Sequence, residues 1–248
     1  MKYFIAEKLI SVENVNFYYD NKIILRDIGN SKIPFEVFNI KKSEIDDKHP
    51  YLGQTVAVLG ASGSGKSTFF KLLAGLMKPK SGKILVPSEK SIEELVPVKE
   101  GDVGFVQQKY PLSRNQSVKS MLIQAARQGD TDSSKIENKV MEYLKDWGLE
   151  GQKSLSASQL SGGQRQRVAI LEQLLCSHHF IIFDEPFSGL DVKNISDVKE
   201  SFKQINELED INTIIFSTHD IDLAVELADT IFVIGFEKEG DKTIPGAT

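Results

Sequence analysis

The sequence predicts an α/β fold: a mainly parallel sheet, preceded by an N-terminal antiparallel β subdomain and interrupted by an inserted α-helical subdomain. Three observations carry the prediction. Short apolar runs at residues 54–59, 180–183, 213–216 and 231–234 are separated by stretches of helical apolar spacing, the alternation expected of parallel strands covered on both faces. Between residues 117 and 147 the spacing is helical alone. The opening segment instead carries two β-rich runs joined by a two-residue turn.

Taken in order, residues 10–19 alternate loosely between apolar and polar side chains and read as a strand with one buried face. Asp20-Asn21 is the turn, and residues 22–25 are the antiparallel partner. Residues 33–40 form a further strand, and the charged stretch 41–50, ending in Pro50, reads as a solvated loop. Residues 54–59 are a short apolar strand, and residues 67–76 have the spacing of a helix. Pro79-Lys80-Ser81-Gly82 closes that unit. Residues 103–106 form a strand leading into Gln107 and Gln108. Val118, Met121, Leu122 and Ala125 make one helical stripe, and Ile136, Val140, Tyr143 and Leu144 make another, with a break at Gly129-Asp130. The apolar runs from residues 180, 213 and 231 are expected to be buried strands with helices between them.

A chain of 248 residues suits one large domain with a smaller inserted part. Its longest apolar runs fall far short of the ~20 residues that cross a bilayer. The first ten residues, with Glu7 and Lys8 among them, do not resemble a secretory leader, so the protein is expected to stay in the cytoplasm. Thirty basic against thirty-five acidic side chains, a net charge of -5, argue against general nucleic-acid binding. Cys176 is the single cysteine and lies in a helical apolar pattern, which makes it a small core residue.

Two motifs a hundred residues apart point to phosphate chemistry. Gly60-Ala61-Ser62-Gly63-Ser64-Gly65-Lys66-Ser67-Thr68 follows the strand at 54–59 and opens a helix. Its glycines let backbone amides turn inward around phosphate oxygens, Lys66 supplies positive charge to the terminal phosphates, and Ser67 supplies a hydroxyl to magnesium. Phe180-Ile181-Ile182-Phe183 ends in Asp184 and Glu185. The first carboxylate suits the hydration shell of the metal, and the second suits orienting or deprotonating a water. Ser217-Thr218-His219-Asp220 ends the next strand, so His219 is expected on the sheet edge that holds Glu185. His178-His179 precedes a strand instead, and reads as structural. The second motif, Leu160-Ser161-Gly162-Gly163-Gln164-Arg165-Gln166, is a capped helix start whose glycines leave N–H groups uncovered, an arrangement that attracts anions.

With these residues assembled, the chain resembles the ATP-binding subunit of an ABC transporter, because Leu160-Ser161-Gly162-Gly163-Gln164 matches that family's signature motif. The resemblance spans nearly the whole chain and implies a P-loop NTPase core, with ATP and Mg2+ as cofactors. Residues 60–68 correspond to Walker A, 181–185 to Walker B and Ser188-Gly189-Leu190-Asp191 to the D-loop. His219 corresponds to the switch histidine. The Q-loop glutamine falls at Gln108, with Gln107 as the neighbouring alternative, and Tyr19, or Tyr18, falls where an aromatic ring meets adenine. Catalysis is thereby assigned to Glu185, His219 and Lys66. Metal contact is assigned to Ser67, Gln108 and Asp184. Nucleotide contact falls to Tyr19, residues 60–68, Gln108, Ser161, Gly162, Gly163, Gln164 and Asp191.

The resemblance further implies one ABC ATPase domain over residues 1–248, with 1–108 and 160–248 as the α/β core and 109–159 as the helical subdomain. In that family the signature helix closes over the γ-phosphate held by another subunit, so the expected partners are a second copy of the chain, or a paralogous subunit, in a head-to-tail dimer. An integral membrane permease and a substrate-binding protein are the other expected partners, and the expected location is the inner face of the cell membrane. The alternative is a soluble ABC ATPase that serves no transporter. The chain departs from the family's pattern in the extra segment at 41–50, in Glu172 where many relatives carry a basic residue, and in Phe187 where threonine is common.

Overall fold

A computed structural model describes residues 5–40, 53–88, 91–107, 112–129, 133–177, 179–208, 211–239 and 242–247. The charged segment 41–50, His178 and the expected Q-loop residue Gln108 lie outside the described residues.

The chain opens with β1 (Ile5–Tyr19), β2 (Lys22–Ile28) and β3 (Phe35–Ile40). Ile33 falls outside β3 and is half exposed, so the strand starts two residues later than its apolar pattern suggested. β4 (Gln54–Leu59) runs into the glycine loop and then α1 (Lys66–Leu73). The helix stops short of the predicted residue 76 because Gly75 adopts φ +70 and turns the chain. The Gly75 N–H then bonds the Leu72 carbonyl and the Leu76 N–H bonds the Lys71 carbonyl, closing the helix with its last carbonyls satisfied.

β5 (Ser81–Ser88) and β6 (Ser91–Pro97) follow, neither of them anticipated from the sequence, and then β7 (Gly104–Val106). The helical stretch forms α2 (Val118–Gln128) and α3 (Ile136–Asp146), and α4 (Gly162–Cys176) begins at the second motif. β8 (Phe180–Phe183), α5 (Val192–Leu208), β9 (Thr213–Thr218), α6 (Ile221–Leu227) and β10 (Thr230–Val233) alternate as expected. A hairpin of β11 (Gly235–Glu239) and β12 (Lys242–Ala247), also unanticipated, ends the described chain.

Two five-stranded sheets result. In the parallel one the order is β10-β4-β9-β8-β7, which sets β4 and β9 side by side at the centre with β8 next to them. The loops after β4, β8 and β9 therefore emerge together at one edge, where ligands of open parallel sheets gather. The antiparallel sheet is built around β1, which pairs with β2, β3 and β5.

Alternation along the parallel strands divides the core in two. Ile182 and Ile215 face α1 and the antiparallel sheet, packing with Phe69, Phe70 and Phe35. Ile181, Phe183, Ile214 and Phe216 face the other way, against α4 and α5. Phe187 joins this second layer, its ring 5.7 Å from that of Phe202 and 5.8 Å from that of Phe216, so the aromatic residue serves a packing need. β10 corrects the expectation of a buried strand. It is the sheet edge, with Ile231 and Val233 exposed and Phe232 half-buried and stacked on Phe35, while Ile234, just past the strand, is fully buried as expected.

A candidate nucleotide site at the carboxyl edge of the parallel sheet

The glycine loop leaves β4 with the Gly60 N–H donating to the Thr218 carbonyl on β9, which ties the loop to the neighbouring strand. Gly65 enters α1 at φ +97, and a Cβ there would lie 2.9 Å from the Ile24 carbonyl oxygen, so both the turn and the space require glycine. Lys66 folds back under the loop. Its Nζ donates to the carbonyls of Gly60 at 2.7 Å and Ala61 at 3.2 Å, and lies 3.2 Å from Oε1 of Glu185. At 5 % exposure that ammonium is a buried charge, and the carboxylate and two carbonyls offset its desolvation.

The loop forms the floor of a cleft of about 780 Å³. Ala61, Ser62, Gly63, Gly65, Lys66, Ser67 and Thr68 line it, with Glu185, Ser188 and His219 facing them and Ile24 from β2 at the side. The first amides of α1 add the positive end of a helix to this floor. A glycine-rich loop, a lysine and a serine around one cleft at a helix start have the chemistry of a polyphosphate site.

Asp184 and Glu185 follow β8 and are held by contacts to the neighbouring strands and side chains. Glu185 has φ +50, a conformation that costs a side-chain-bearing residue about 1–3 kcal/mol and is held only where its surroundings impose it. Its N–H donates to Oγ of Ser217 at 2.8 Å, and the same hydroxyl lies 2.8 Å from Oδ1 of Asp184. At the far end of the side chain, Oε2 lies 3.2 Å from Nδ1 of His219, a contact in which the carboxylate is the acceptor. Glu185 thus bridges Lys66 and His219, one through each oxygen. Ser67 and Asp184 offer hard oxygen donors, the kind magnesium takes.

The second motif folds as the sequence indicates but stands apart from this cleft. The Ser161 hydroxyl accepts from the Gln164 N–H at 3.3 Å and the Gln164 side chain accepts from the Ser161 N–H at 3.0 Å, a reciprocal cap on α4. Ser161, Gly162, Gly163 and Gln164 are absent from the cleft's walls. A Cβ at Gly162 would meet nothing within 4 Å, so among the described residues no contact demands a glycine there. Asp191 caps α5 by accepting from the Asn194 N–H at 2.9 Å and is exposed.

The other expected contacts are less closely gathered. Tyr19 is exposed, its ring set edge-on to Phe17, and neither it nor Tyr18 lines the cleft. Gln107 is exposed at the end of β7. Sequence reasoning did not single out Ile24 or Ser217. No local signal marked Ser217, since β9 also carries Thr213 and Thr218 and only the pairing of β9 with β8 sets its hydroxyl against the acidic residues. Cys176 is inert, its thiol pushed up to about 11 by burial and by the nearby Glu172 carboxylate.

Comparison with known proteins gives a consistent set of relatives. The model of the ABC transporter family matches residues 49–188. The chain is 37% identical over 186 residues to the sulfate/thiosulfate import ATP-binding protein CysA of Synechococcus elongatus, covering 75% of this chain and 53% of that one. It is also 37% identical over 182 residues to the protein of the same name from Thermosynechococcus vestitus, covering 73% and 53%. The chain thus spans about half the length of these curated relatives. Among solved structures it is similar to cbiO1 from Clostridium perfringens, part of the ABC transporter complex cbiONQ, with a TM-score of 0.71 at 27% identity over 92% of this chain and 85% of that one. An ATP binding subunit of an ABC transporter shares the fold, with a TM-score of 0.66 at 22% identity over 91% and 85% of the two chains.

Proposed function

The chain belongs to the ABC transporter family, and on that premise we propose that it binds and hydrolyses ATP as the energy-supplying subunit of a transporter. The observation that carries the proposal is the convergence of Lys66, Glu185 and His219 at the mouth of the glycine-built cleft. The relatives named for import support an importer, with cargo chosen by a separate permease.

Each residue then has a task. The cleft's amides and Lys66 hold the phosphates, and the γ-phosphate takes the place of Glu185 as partner of the ammonium. Released from Lys66, the carboxylate keeps its contact with His219 and is free to orient and deprotonate a water in line with the terminal phosphorus. Magnesium, when bound with ATP, would neutralise charge on the β- and γ-phosphate oxygens, with Ser67 and Asp184 as the described side chains placed to hold it. Gln108 is assigned to the same group on the family pattern. Tyr19 is assigned to adenine on the same basis.

The free space at Gly162 and the absence of the signature residues from the cleft support a second copy of the chain, or a paralogous subunit, completing the site head to tail. Among the described residues no helix is long and apolar enough to cross a membrane, which fits attachment to the inner face of the membrane through a permease. The segment after Gln108 and the helical block 109–159 are proposed to pass closure of the site to that permease, and a substrate-binding protein would complete an importer.

Glu185→Gln tests the assignment. The variant is expected to bind ATP as the parent does while its turnover falls by about 10²–10⁴-fold, the usual worth of a general base. Turnover equal to the parent's would remove Glu185 from this role.

A further inference from the structure

We propose that Ser217 is a positioning residue that sets both acidic side chains of the site, and that it leaves Oδ2 of Asp184 as the oxygen offered to the metal. The inference rests on the ATPase assignment above and deepens it. Ser217 has no exposed surface, and its hydroxyl is the shared partner of two consecutive residues on the adjacent strand.

The direction of each hydrogen bond follows from the chemistry of the groups. The Glu185 N–H can only donate, so Oγ accepts there at 2.8 Å. The hydroxyl's own proton is then directed to Oδ1 of Asp184, also at 2.8 Å. With Oδ1 engaged by a proton, the carboxylate turns its second oxygen outward. The bond to the Glu185 amide meanwhile holds that residue at φ +50, and this conformation aims its side chain at Lys66 and His219.

Strand register explains why residue 217 has this reach. Phe183 pairs with Phe216 across β8 and β9, so Asp184 and Ser217 each stand one position further on. Ile182 and Ile215 face α1, and continuing the alternation puts Asp184 and Ser217 on that face, beneath the glycine loop. On the other side Ser217 pairs with Val58 of β4, one residue before the strand ends, so the anchor is part of the rigid sheet. A fully buried hydroxyl that accepts from the amide of one acidic residue and donates to the carboxylate of the other is the support on which a metal-facing carboxylate depends.

The test compares the parent with Ser217→Ala and with Ser217→Cys, which keeps the volume while weakening both bonds. Affinity for a fluorescent ATP analogue is measured in EDTA and again across a Mg2+ titration, alongside ATP turnover and thermal melting. In EDTA, Ser217→Ala is expected to bind the analogue within about twofold of the parent, because the loop and Lys66 are untouched. Its midpoint in Mg2+ is expected to rise by about 10–100-fold and its kcat to fall by a similar factor, the usual effect of losing an outer-shell support, while KM for ATP moves far less.

Ser217→Cys is expected to shift in the same direction by less, and it serves alone if the alanine variant does not fold. Mg2+ midpoints and kcat equal to the parent's in a folded variant would overturn the proposal. So would a loss of EDTA binding as large as the loss of turnover, which would mark general damage to the site. If the parent itself showed no turnover, the ATPase assignment would fail, while the Mg2+ titration of analogue binding would still decide the role of Ser217.

Discussion

Glu172 lies half buried on the flank of α4, and burial alone raises its pKa above the ordinary 4.5. The folded protein therefore holds this proton more tightly than the unfolded chain does. Stability falls as pH rises from the ordinary value through the folded one, and the penalty is fully present once the folded group has ionised. Glu172→Gln is accordingly expected to melt above the parent near neutral pH, with the gap closing as the pH is lowered toward about 4.5. Thermal melts across that interval check it, and a gap that stays constant with pH would remove the charge as its cause. Nothing in the structure explains an acid at this position.

Elements with a strong internal period were legible in the sequence, and elements that depend on a distant partner were not. β4 matches residues 54–59 and β8 matches residues 180–183, because both are short and built on a buried apolar run. β5 and β6 carry little such pattern. β6 buries none of its residues fully, and β5 is held by pairing Ser11 with Leu85 and Val12 with Ile84, contacts that no local window contains. The terminal hairpin was missed for a different reason, since β11 and β12 pair locally but Pro245 and several charges mask any strand pattern.

The candidate site divides in the same way. The glycine loop, the acidic pair and His219 could be read locally, whereas Ser217 required knowing that β9 lies beside β8. At the start of α4 the sequence also specified its own boundary through Ser161 and Gln164. Ser161→Ala removes that cap and is expected to cost about 0.5–2 kcal/mol, read as a lower midpoint in urea unfolding. An unchanged midpoint would mean that packing of α4 alone sets its start.

At the scale of the whole molecule, the glycine-loop cleft and the capped start of α4, the two surfaces proposed to take phosphate, do not meet. The glycine loop, Lys66, Glu185 and His219 share one cleft, while the capped start of α4 presents its open amides elsewhere. In the proposed head-to-tail pairing of two copies, each surface would meet its counterpart. The most direct measurement is ATP turnover by an equal mixture of Lys66→Ala and Gly162→Asp chains. Among the described residues a Cβ at Gly162 meets nothing within 4 Å. Each variant alone spoils both sites of its own dimer, but a mixed dimer concentrates both lesions in one site and leaves the other whole. The account predicts that two inactive preparations regain turnover on mixing, up to about a quarter of the parent's rate, since half the dimers are mixed and each keeps one of two sites. A mixture no more active than its separate components would contradict it.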